Sequence, residues 1–109
     1  MPSLGSLEPW LYGAADTFVS YLQAAGVPVY VTSARRSAAK QAVLYAAYIE
    51  GRSDYPAAAP GTSLHELGRA FDLGGLPKGH PLWPVLGQIW ESLGGRWGGR
   101  FGDEIHFEA

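Results

Sequence analysis

Cysteine is absent from the 109 residues. That excludes a disulfide framework, a thiolate metal site and a cysteine nucleophile, so any metal must be held by His, Asp or Glu. An excess of positive charge is lacking too, with eight Lys and Arg against ten Asp and Glu. A nucleic-acid or anionic-membrane surface is therefore not expected as the main partner. No apolar run approaches the ~20 residues of a membrane span. The opening stretch, "MPSLGSLEPWLYG", has neither a basic n-region nor an apolar h-region, and no secretory signal is expected from it. Internal repeats and a domain-separating linker are missing as well.

What remains is 47% apolar, with fifteen glycines and eight prolines. That composition predicts one loop-rich globular domain over residues 1–109. Leu11, Ala14, Ala15, Phe18, Val19 and Leu22 recur at helical spacing between Glu8 and Ala25. "VPVYVTSA", from Val27 to Ala34, is rich in β-branched residues and reads as a strand. Ser37 is placed to cap a second helix that would bury Val43, Leu44, Ala47 and Tyr48 and stop at Gly51. After a Pro-rich loop, "RAFDL" reads as a short strand. Val85 to Leu93 reads as a helix, "GGRWGGRFGDE" as turn material and "IHFEA" as a closing strand. The order predicts an α+β fold, a small antiparallel sheet with helices packed mainly on one side.

One stretch, "SLHELGRAFD", carries the chemistry. Its "HELGR" begins like His-Glu-x-x-His, but Arg69 stands where the second histidine of that motif would be. Three histidines exist in all: His65, His80 and His106. Between His65 and Asp72 the chain can turn at Gly68 and return the carboxylate to the same side. On the strand Ala70 and Asp72 share one face, Phe71 and Leu73 the other. His106 and Glu108 share a face of the last strand. Two histidines and a carboxylate make three ligands, the count of a catalytic zinc. Each residue also has a plain structural reading: Asp72 as a turn residue, His106 as a core histidine, His80 as a loop residue.

Beyond that point the motifs themselves speak. "PGTSLHELGRAFDL" fits Ser-x-His-x-x-Gly-x-Ala-x-Asp, and "GDEIHFE" fits acidic-x-x-His. Together they resemble the zinc peptidases that cut beside D-amino acids in bacterial cell walls. That group takes in the VanY-like D-alanyl-D-alanine carboxypeptidases and the phage L-alanyl-D-glutamate endopeptidases, and its fold is shared with hedgehog-type domains. The resemblance runs from "VTSARRS" to the C-terminus. It implies one Zn2+ ion held by His65, Asp72 and His106, with the ligands presented from strands. Asp103 takes the place of the general base; Glu104 is its neighbour and rival. "TSARRS" resembles Thr-Ser-Gly-Tyr-Arg-Ser, which puts Arg36 in the place of an arginine that offsets charge on the carbonyl oxygen or holds a substrate carboxylate. Ser63 matches the motif serine, as a substrate contact or a loop brace. "RWGG" is similar to a Trp-Gly-Gly of endolysin members and puts Trp97 at the substrate groove, with core packing as its alternative.

The implied activity is cleavage of the peptidoglycan stem peptide by a monomeric, soluble zinc metallopeptidase. The L-alanyl-D-glutamate endopeptidase branch is expected first and a D-alanyl-D-alanine carboxypeptidase second. A non-catalytic zinc-binding wall module is the third reading. A phage lysin or virion-borne enzyme would fit a chain without an export signal.

Overall fold

The computed structural model describes residues 3–109. Among these residues three α-helices, α1 (Pro9–Ala24), α2 (Ala38–Ile49) and α3 (Leu82–Ser92), and two short 3-10 turns accompany four strands: β1 (Tyr30–Ser33), β2 (Ala70–Gly74), β3 (Arg96–Trp97) and β4 (His106–Glu108). The strands form one sheet in the order β1-β2-β4-β3, antiparallel throughout. The expected α+β class and the small antiparallel sheet are what the chain builds.

Helix α1 forms because Leu11, Ala15, Phe18, Val19 and Leu22 fall on one stripe and Pro9 occupies the first helical turn, where its missing N–H costs nothing. Ala14, expected on that stripe, is exposed. Helix α3 starts at Leu82, three residues before the expected Val85. Pro84 lies in its first turn, and the Leu82 N–H is taken by His80 Nδ1 at 3.0 Å. His80 is thus a helix-end residue of the loop. Trp83, Leu86 and Trp90 of α3 pack with Phe18 of α1 against Phe71, Leu73 and Phe107 of the sheet. The rings of the register partners Phe71 and Phe107 stack at 5.6 Å, and Trp90 meets Phe71 edge-on at 5.2 Å. This layer fixes the sheet's inner face, and Ala70, Asp72, His106 and Glu108 alternate to the other.

Two elements depart from expectation. Helix α2 buries Gln41 alone, while Val43 and Tyr48 are exposed and Leu44 and Ala47 half-buried. Its apolar stripe does not face the core; Leu44 and Tyr48 instead line a cavity on the outer face of the sheet. Strand β3 lies inside the stretch expected to be turn. Two residues are too few for a period-two signal, and the strand exists through pairing Arg96 with Glu108 and Trp97 with Phe107.

Gly75, which follows β2, has φ 105°, and a Cβ there would be driven into the Pro28 carbonyl oxygen. Gly75→Ala is expected to cost several kcal/mol, through backbone strain and a clash that no side chain can relieve. Gly13→Ala, in α1 with nothing near its would-be Cβ, should stabilise by up to about 1 kcal/mol. Urea midpoints of the two variants check this, and similar midpoints would refute it.

Candidate metal centre

Register builds two-thirds of the site. Asp72 of β2 is paired directly with His106 of β4, so their side chains emerge side by side on the outer face. His65 does not come from a strand, as expected, but from a tight turn over residues 63–68. Gly68 closes that turn at φ 69°, and its N–H and that of Arg69 bond back to the carbonyls of His65 and Leu64. Ser63 Oγ accepts the His65 N–H at 3.2 Å, and Arg36 N–H donates to the His65 carbonyl at 3.0 Å. Glu66 accepts the Gly61 N–H with both oxygens, pinning the loop before the turn.

Three ligand atoms then converge. His65 Nε2 lies 3.1 Å from Asp72 Oδ1, His106 Nδ1 lies 3.3 Å from the same oxygen, and the two nitrogens are 3.3 Å apart. Zinc–ligand bonds of about 2.0–2.1 Å in a tetrahedron require ligand atoms roughly 3.3–3.4 Å apart, so this triangle fits a zinc-sized ion. The outer nitrogens are occupied. His65 Nδ1 donates to the Ala34 carbonyl at 2.7 Å, and His106 Nε2 donates to Glu108 Oε1 at 2.7 Å. A carbonyl or carboxylate only accepts, so a ring carrying a single proton holds it on that outer nitrogen and turns a lone pair toward the Asp72 oxygen. Three lone pairs aimed at one point demand a cation.

The titration behaviour of the residues says the same. Burial opposes ionisation of Asp72, but hydrogen bonds from His106 and His65 and their charge hold its carboxyl well below the usual range. Burial pushes His106 down, yet its bonds to Asp72 and Glu108 outweigh that and raise it to about 9. A proton on His106 supplies the positive charge that the cluster calls for.

Asp103 stands over this cluster, its Oδ2 4.0 Å from His106 Nδ1. A turn holds it there, closed by Asp103 N–H to the Gly98 carbonyl and His106 N–H to the Asp103 carbonyl. Its Oδ1 is buried and has no hydrogen-bond partner among the described residues. Burial first, then the nearby Asp72 charge, lift its carboxyl to about 7, against the pull of His106 and Arg36. An unpaired buried oxygen poised near neutrality is what a general base needs. Glu104, one residue on, is turned elsewhere: its carboxylate accepts the Gly79 N–H at 2.7 Å, and its carbonyl accepts from Trp97 Nε1 at 2.8 Å.

The cavity, about 520 Å³, is lined by His65, Asp72, Asp103, His106, Ser63 and Arg36, with Leu44, Tyr48, Tyr55 and Phe101 among its apolar walls. Arg36 spends its donors locally: Nη2 on Asp72 Oδ2 at 2.6 Å, Nε on Ser33 Oγ at 2.7 Å and Nη1 on Gln41 Oε1 at 3.1 Å. It thus splits the Asp72 carboxylate, taking one oxygen and leaving the other for the histidines. Sequence reasoning missed Gln41, which is fully buried and also donates to the Ala58 carbonyl of the cavity wall. A lone glutamine inside an otherwise apolar helix stripe was the available signal. Trp97 is not brought to the cavity; its ring packs over Gly87 and Gly99, the core alternative. Arg35, next to Arg36, is engaged elsewhere, its Nε donating to the Ser6 carbonyl at 2.8 Å.

The profile of the VanY family, described as D-alanyl-D-alanine carboxypeptidase, matches residues 5–87 of the 109. The chain belongs to the VanY family. The matched span holds Arg36, Ser63, His65 and Asp72 and stops short of Asp103 and His106, which the fold supplies beside them. Among solved structures this family member is similar to the LdcB LD-carboxypeptidase, with a TM-score of 0.72, 24% identity and coverage of 94% of this chain and 64% of that one. It therefore spans less than two-thirds of LdcB. The zinc-bound vancomycin-resistance D,D-pentapeptidase VanY gives a TM-score of 0.70 at 20% identity, covering 94% and 71%. The L-Ala D-Glu endopeptidase ChiX of Serratia marcescens gives 0.61 at 23% identity, covering 96% and 81%. At these identities the likeness is one of fold. No curated protein matches the sequence significantly. Among the described residues no helix is long and apolar enough to cross a membrane.

Proposed function

We propose that the chain, as a monomer with one zinc ion, hydrolyses a peptide bond beside a D-amino acid in the peptidoglycan stem peptide, at the L-alanyl-D-glutamate bond. The observation that carries the hydrolytic reading is the unpaired Asp103 Oδ1 above a triangle of ligand atoms of zinc dimensions. His65, Asp72 and His106 would hold the zinc ion, which when bound would supply Lewis-acid activation of water and of the scissile carbonyl. Asp103 then takes the proton of the attacking water and passes it to the leaving amine nitrogen. Arg36 uses three of its five N–H donors on Ser33, Gln41 and Asp72, leaving two for charge that develops on the carbonyl oxygen. Leu44, Tyr48 and Tyr55 suit the methyl groups of alanine.

Cleavage inside the stem, rather than at its end, is supported by charge. Among the described residues Arg36 is the only Lys or Arg lining the cavity, already paired with Asp72, and Asp103 and Glu108 face the same space. A free terminal carboxylate would find no unpaired cationic side chain there. The carboxypeptidase reading is favoured by the family match itself and is the second outcome of the test. Action as a phage lysin or virion-borne enzyme belongs to the same proposal and predicts lysis of intact host cells.

The test is incubation of the zinc-loaded protein with defined muropeptides and mass analysis of the products, with a chelator-treated control. Chelator-sensitive separation after L-alanine is expected. Loss of terminal D-alanine would transfer the assignment to a carboxypeptidase. Bound zinc without new fragments would leave a wall-binding module.

A further inference from the structure

We infer that Glu108 is a positioning residue of the metal centre, fixing the His106 ring with Nδ1 turned to the ligand set and so tightening zinc binding. This rests on the metal-site reading above. His106 and Glu108 are two apart on β4 and therefore share its outer face. Glu108 Oε1 sits 2.7 Å from His106 Nε2, in a place where the Glu108 side chain is only 14% exposed. The strand ladder holds Glu108 in turn: it is the register partner of Ala70 on one side and of Arg96 on the other, and Arg96 Nη1 lies 4.0 Å from its second oxygen.

The two histidines bind with opposite nitrogens, and each outer nitrogen has its own keeper. His65 is kept by a backbone carbonyl, which the fold supplies whatever the side chains are. His106 is kept by a carboxylate, which accepts at Nε2, blocks a ring flip that would aim a carbon at the metal, and makes Nδ1 more electron-rich. Side-chain control of this kind can be removed by substitution, so the two histidines should respond differently to mutation of their surroundings.

The experiment measures zinc affinity of the purified chain by chelator competition, for the wild type, Glu108→Leu and Glu108→Gln. Leucine keeps bulk on the strand and accepts nothing, and Glu108→Ala serves the same comparison if the leucine variant does not fold. Loss of the partner is expected to weaken zinc 10- to 100-fold. Glutamine still accepts the Nε2–H through its amide oxygen and should rescue most of that loss. The visible spectrum of the cobalt(II)-loaded protein, which reads ligand geometry, should shift in the leucine variant and stay near wild type in the glutamine variant. Affinity within threefold of wild type for the leucine or alanine variant overturns the inference, as does a glutamine variant that binds no better. Wild-type protein that fails to bind zinc overturns the metal site as a whole, a result distinct from either.

Discussion

Asp103→Asn should retain one zinc per chain and lose about 10²- to 10⁴-fold in turnover, the usual worth of a positioned acid/base. The same change should stabilise the zinc-free protein at alkaline pH. The carboxyl is lifted from 3.8 to about 7, chiefly by burial. Below about pH 4 it is protonated whether the chain is folded or not, and the shift has no effect on stability. Between about 4 and 7 the folded chain binds the proton the unfolded chain has lost, so stability falls as pH rises, and above about 7 the full penalty applies. Asparagine never ionises and escapes it. The expected gain at pH 8 is on the order of 2–4 kcal/mol, several degrees in thermal midpoint, and should vanish near pH 4. Bound zinc should shrink the gain, because a cation nearby favours the ionised carboxylate. Thermal scans with chelator at pH 4 and pH 8, beside muropeptide turnover, check both halves. Near-normal turnover would remove Asp103 from the mechanism. An unchanged midpoint at pH 8 would show that the unpaired oxygen carries no strain.

Asp72→Ala is expected to abolish zinc binding, reduce turnover to background and destabilise the zinc-free fold as well. Asp72 is held by three partners: Arg36 at 2.6 Å, His65 at 3.1 Å and His106 at 3.3 Å. Removing one side of a buried ion pair leaves the other charge uncompensated, at a cost of about 3–5 kcal/mol. The sign follows from both shifts. The Asp72 carboxyl is depressed below 3.8, so its contribution is present above about pH 4 and is lost on further acidification. His106 is raised from 6.5 to about 9, so its contribution is full below 6.5 and fades as pH rises through 9. The wild-type advantage over Asp72→Ala should therefore be widest between about pH 4 and 6.5. Metal analysis of the purified variant and urea titrations across pH measure this. A variant that still carries stoichiometric zinc would strike Asp72 from the ligand set.

Much of the fold was legible because it depends on local period. The α1 stripe and the alternation of Ala70 to Leu73 follow from repeat distances of 3.6 and 2 residues, which a chain displays whatever surrounds it. Helix α2 misled for the same reason: Leu44 and Tyr48 have a core-facing period, but the surface they cover is the wall of a cavity. Strand β3 gave no signal because two residues have no period. Trp97 was drawn to the groove by the company of its glycines, and it is those glycines that let its ring pack down.

Residue inventory and facing were therefore set by sequence alone. With no cysteine, a metal site had to be built from His, Asp or Glu; the motif resemblance implied His65, Asp72 and His106, and alternation set Asp72 beside Ala70 and His106 beside Glu108 on one face of their strands. Convergence was decided by tertiary structure. His65 and His106 are 41 residues apart, and only the register Asp72↔His106 and the turn closed at Gly68 bring their nitrogens within 3.3 Å. The choice of nitrogen on His65, the partnerless oxygen of Asp103 and the capture of Arg36 by Asp72 have no local cause. They arise from backbone carbonyls, strand partners and burial, which exist only once distant segments are packed together.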